Sequence, residues 1–176
     1  MPVTRRTRLL TTFALTLAAT AARPGTAAAG PPWIAVEMPA NPHDPATRGA
    51  LAVVRLYHHG APAPWPLEAV AIGLVGGERR TVRLVTRSLA TGAVAVRGEL
   101  PRGEGWVLLL TMQAGPTARA SALVALDRGG QVVAVRVPQD TLEGGRWLNP
   151  REPRPSELDA MLRLVAGPVV ASAPRR

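Results

Sequence analysis

The chain has 176 residues, 47% of them hydrophobic, which suits one domain with a core of its own. It has no cysteine, and this excludes disulfides, thiolate catalysis, iron–sulfur clusters and thiolate zinc sites. Its net charge of +9 comes from 21 basic residues, all arginine, against 12 acids; the arginines are scattered along the chain and not gathered in a block, so nucleic acid is not an expected partner.

Residues 1–29 read as an export signal. Arg5, Arg6 and Arg8 form a positive start, Leu9 to Ala22 a short apolar run, and Ala27-Ala28-Ala29 a small-residue cleavage pattern before Gly30. The apolar run is short of the ~20 residues of a bilayer span, so no membrane span is expected after cleavage. Arg5-Arg6 loosely matches a twin-arginine export motif, but Arg8 departs from it and ordinary Sec export is expected. No cysteine follows the run, so no lipid anchor is expected. Four arginines leave with the signal, and the remaining seventeen against twelve acids give a mature charge of +5. The expected location is the periplasm or the cell exterior.

After the linker Gly30–Pro32, Trp33–Glu37 reads as a first strand and Met38–Gly49, with three prolines, as an irregular loop. Ala50–His58 is apolar and β-branched enough for a buried strand. "HGAPAPWP" is a turn-rich connector to the next strand, Leu67–Val75. Gly76-Gly77 marks a tight hairpin, and Thr81–Thr86 returns with period-two alternation. Ala93–Leu100, Trp106–Met112, Arg119–Leu126 and Gln131–Val137 follow, the last two as a hairpin around Asp127-Arg128-Gly129-Gly130. Seven or eight short strands at spacings of roughly 8–12 residues predict an all-β, immunoglobulin-like β-sandwich over residues 30–138.

Residues 139–176 read as a linker, a short C-terminal helix over 156–166 and a frayed tail. Ser156 is the expected N-cap, with Glu157 and Asp159 in the first turn. Leu158, Met161, Leu162 and Val165 share one face, which is expected to pack on the sandwich, with docking on a partner as the alternative.

Residues 50–113 resemble the small exported immunoglobulin-like domains of the YtkA/FixH type. The resemblance lies in a strand with its "HGAP" connector, a strand ending "GLVGGERR", and a couplet in which a strand precedes a Gly-Trp strand start. Gly92, Gly105, Trp106 and Leu108 match that couplet, and Val94 stands where it has a tyrosine. The resemblance implies the sandwich fold, and some such domains lie near copper or oxidase-assembly genes.

The stretch Arg55–Pro62, "RLYHHGAP", holds His58 and His59, two of the three histidines, beside the only tyrosine, Tyr57. Imidazole and thioether ligands suit copper, so His58, His59, His43 and Met38 make a candidate copper set, with Met112 as a further thioether. In a regular strand the neighbours His58 and His59 point to opposite faces, so only one aims inward. Of the four tryptophans, Trp33 and Trp106 are expected to be structural. Trp65 and Trp147 fall in loops, where they either cap the open ends of the sandwich or contact a ligand or partner.

No catalytic constellation stands out. Ser88, Ser121, Ser156 and Ser172 lie outside any G-x-S-x-G, Asp44 beside His43 has no nucleophile, and "GLVGGERR" lacks the lysine and helix of a phosphate loop. The expectation is an exported, non-enzymatic binding or accessory protein. Its alternatives are a periplasmic copper-binding accessory protein and a module that engages another exported or membrane protein.

Overall fold

The computed structural model describes residues 31–115, 118–141 and 148–166. The signal segment, Trp147 and the C-terminal tail lie outside these residues. Two antiparallel sheets carry the fold. The first has the order β1 (Trp33–Glu37), β2 (Ala52–His58), β7 (Ala93–Arg97), β6 (Val85–Ser88), with the two-residue β3 (Ala61–Pro62) paired to β2. The second has the order β10 (Val132–Arg136), β9 (Arg119–Leu126), β8 (Trp106–Gln113), β4 (Leu67–Val75), β5 (Glu78–Arg83). The expected β-sandwich with a short C-terminal helix is what the chain forms.

Alternation writes the core. Ala52, Val54 and Leu56 of β2 and Val94 and Val96 of β7 point inward. They meet Leu67, Ala69 and Ala71 of β4, Leu108, Leu110 and Met112 of β8, and Ala122 and Val124 of β9. Met112 is therefore a core residue with no exposure.

The return strand expected at Thr81–Thr86 is two strands. Backbone at Leu84 leaves the second sheet, where β5 pairs with β4, and enters the first, where β6 pairs with β7. Leu84 is 5% exposed, its N–H donates to the Ala69 carbonyl at 2.9 Å, and its side chain lies so close to Gly98 that a Cβ there would stand 2.6 Å from it. One seam of the sandwich is thus closed by continuous chain. At the other seam β1 lies across from β9, and β10 extends beyond it.

The expected loop at Met38–Gly49 folds over the outer face of the first sheet. Ala40 packs on Val53 and Ala93, and the Arg97 guanidinium donates to the carbonyls of Arg48 at 2.7 Å and Ala46 at 3.1 Å. The linker expected after Pro138 holds a small hairpin, β11 (Gln139–Thr141) with β12 (Leu148–Pro150). The helix, α1, runs Pro155–Ala166 on the outer face of the second sheet. There Met161, Leu162 and Val165 pack on Ile72, Val107, Leu123 and Ala125.

Ser156 is not the N-cap. Arg154 holds that place and Pro155 is the first helical residue, where a missing N–H costs nothing. Glu157 closes the turn by accepting from the Arg154 N–H at 2.8 Å, the return half of a capping box. The same carboxylate takes a two-pronged bond from Arg151, at 2.7 and 3.1 Å, and Arg151 Nε donates to Asp140 of β11 at 2.9 Å. Arg79 of β5 pairs with Asp159. Gly105 lets the helix seat: a Cβ there would meet the Val165 carbonyl oxygen and lie 2.6 Å from Val165 Cβ.

Gly105→Ala is expected to lower stability by about 1–3 kcal/mol, the range for an overfilled contact, and to loosen α1 before the sheets, read by denaturant unfolding with amide exchange. The Arg151 guanidinium and the Arg154 N–H hold the Glu157 carboxyl down at about 2 against an ordinary 4.5. Its contribution is therefore complete above about pH 4.5 and lost as pH falls toward 2. Glu157→Gln is expected to cost about 1–2 kcal/mol at neutral pH and to flatten the pH dependence of thermal unfolding between those values.

Candidate functional site

The two ends of the sandwich hold the residues of interest. At one end β2 turns into β3 through His59 and Gly60, both in the left-handed region at φ 53° and 75°. Two such residues between paired strands make the tight hairpin turn that follows strand twist. His58 is the last residue of β2 and shares the inward side of Leu56. The left-handed turn swings the His59 ring onto it, with ring centroids 3.8 Å apart. The strand rule for neighbouring residues thus fails at this corner because His59 belongs to the turn. His58 also packs beside Trp65, at 5.0 Å between centroids.

Met38 lies at the other end. Glu37 pairs with Val53, five residues before His58, so about 17 Å of strand separates Met38 from the histidine corner. Met38 packs against the core and lines a cleft of about 560 Å³ at the mouth between the sheets. Leu51, Leu100, Trp106, Leu126 and Val132 give the cleft apolar walls, with Arg102 and Glu104 at the rim. Trp106 is 2% exposed and satisfies its indole by donating to the Pro101 carbonyl at 3.1 Å. Gly73 makes room for that ring, since a Cβ there would stand 2.8 Å from it. Asp127 is occupied by its own turn, where Oδ1 accepts from the N–H groups of Gly129 and Gln131.

The copper set is therefore divided. His58 and His59 come together, Met38 is at the opposite end, and His43 stands exposed in the loop over the first sheet, its N–H donating to Asn41 Oδ1. No group of three histidines or carboxylates that could hold an ion occurs among the described residues. Trp65 is half-buried against the core and caps the histidine end, whereas Trp147 lies outside the described residues. Trp33, expected to be structural, is 48% exposed and stacks on Tyr57 at 4.7 Å. The helix face offered to a partner as an alternative is buried on the second sheet.

The cleft was not visible in the sequence, because its walls come from four separate stretches of the chain. The one local signal was the valine run "QVVAVRV", too apolar for an exposed hairpin strand. Among the described residues no helix is long and apolar enough to cross a membrane. Comparison with protein-family models, curated proteins and solved structures returns no match for the chain.

Two imidazoles supply fewer ligands than the three or four of ordinary zinc and copper sites. Native mass spectrometry with Cu(I), Cu(II) and Zn(II) is expected to show only weak uptake, lost in His58→Ala/His59→Ala. Tight uptake that survives the double variant would place a site elsewhere.

Proposed function

We propose that the chain is an exported, non-enzymatic binding protein of the immunoglobulin-like type, which receives an apolar group of its ligand in the cleft between Met38 and Trp106. The cleft itself carries this reading: about 560 Å³, with apolar walls from Leu51, Leu100, Leu126 and Val132 and a few charged side chains, Arg102, Glu104, Asp127 and Arg128, along its lining, the usual make-up of a ligand site. Export rests on the pattern of residues 1–29. The immunoglobulin-like type is supported by strand order, since β1-β2-β7-β6 facing β9-β8-β4 matches the ABED and GFC arrangement of that fold. The likeness to YtkA/FixH-type domains is part of the same proposal. The non-enzymatic part rests on the lack of any nucleophile motif in the sequence. Copper handling is the second reading, favoured by the 3.8 Å approach of His58 and His59.

The test is titration of the full chain with 8-anilinonaphthalene-1-sulfonate, an apolar probe with one anionic group. Saturable binding at one site is expected, weakened about tenfold by Arg102→Glu at the exposed rim and by Leu51→Glu in the wall, and unchanged by His58→Ala/His59→Ala. Binding indifferent to both cleft variants would overturn the reading.

A further inference from the structure

The four sheet edges are not alike. At the closed seam, β5 carries Arg79, Arg80 and Arg83, and β6 carries Thr86, Arg87 and Ser88, the charged and polar guards that keep an edge from pairing. At the open seam, β1 reads Trp-Ile-Ala-Val-Glu and β10 Val-Val-Ala-Val-Arg. Each pairs on one side only among the described residues. The first sheet stops at β1, across from β9, so β10 overhangs by one strand, about 4.8 Å. Val132 pairs with Leu126 and Val135 with Val124, so both point to the inner side, where nothing of the first sheet covers them. They are 40% and 56% exposed. Val36 of β1, also inward, is only partly buried. The cleft is continuous with this shelf, since Val132 lines both.

We infer that the open seam is an acceptor slot for an extended segment of a partner protein, which adds to the free edge of β1 and lays its inward side chains on the valine shelf of β10. This rests on the binding reading above and names its partner. Main-chain bonds to β1 would supply affinity, and the shelf and cleft would select small, β-branched apolar side chains at alternate positions. One added strand brings the first sheet level with β10. β1 ends beside the cleft, so an antiparallel segment begins there. Arg102 and Glu104 at that rim make no ion pair among the described residues, so an acidic first residue has Arg102 as a free partner there. The net positive charge of the chain favours such a segment as well.

The probe is acetyl-Asp-Val-Thr-Val-Thr-Val-amide, titrated into the ¹⁵N-labelled full chain and read by amide shifts. Shifts are expected in β1 and at Val132–Val135. Binding is expected to weaken about tenfold in Val135→Glu, several-fold when the peptide begins with Lys, and to vanish with proline at the central valine. Val135 is exposed, so its replacement leaves the fold intact. No shifts up to about 1 mM peptide, with the anionic probe still bound in the cleft, would overturn the slot and leave the cleft reading standing; loss of both signals would overturn both. Slowly exchanging outer β1 amides in the dilute peptide-free chain would put this chain's own segment in the slot, and concentration-dependent shifts there would put a second copy in it. Either result overturns a partner strand.

Discussion

Everything in this sandwich follows from one crossing. At Leu84 the chain leaves one sheet and enters the other without a loop. Burial of that leucine, its bond to the Ala69 carbonyl and the absence of a side chain at Gly98 hold the corner. A crossing there fixes which strands face each other, since β6 begins where β5 ends and the two edge strands share one seam. From that alignment β1 falls across from β9, and β10 is left outside. The closed seam and the overhanging seam are two results of the same corner.

The closed seam can be polar because continuous chain seals it, and its strands carry arginines at no cost to the core. The open seam cannot be sealed in this way, and its residues stay apolar although water reaches them. Between these seams the outer faces are covered by different means. The loop of Ala40 and Arg97's two carbonyl partners covers one, and α1, latched by Arg151 and Glu157, covers the other. The two ends differ likewise. Trp65 and the two edge-on imidazoles stop one end, and the other opens as a cleft.

Much of the fold was legible because short-range rules decide it. The buried runs of β2, β4, β8 and β9, the Gly76-Gly77 turn and the apolar stripe of α1 follow from alternation, left-handed glycine and helical period. The crossing at Leu84 was not legible, since "TVRLVT" alternates in the same way whichever sheet receives it. Three-residue strands such as Gln139–Thr141 bury too little to leave a pattern. The helix start was written in "RPSEL", where proline before serine marks the first helical residue and displaces serine from the cap. Of the site, the His-Gly pair carried a turn signal that explains why two neighbouring histidines meet. The separation of Met38 from that corner depends on strand register, which no local spacing reveals.

The uneven edges bear on the fate of the chain when nothing fills the open seam. Apolar, proline-free strands of low charge are the segments from which cross-β aggregates grow. Here the arginine-bearing edges stop such growth on one side only, so stacking of chains would have to begin at β1 and β10. Because those two edges belong to different sheets of one sandwich, a molecule added there meets a step and not a flat surface. That step, set by a single strand's width, is a barrier to endless growth that requires no charged residue at all.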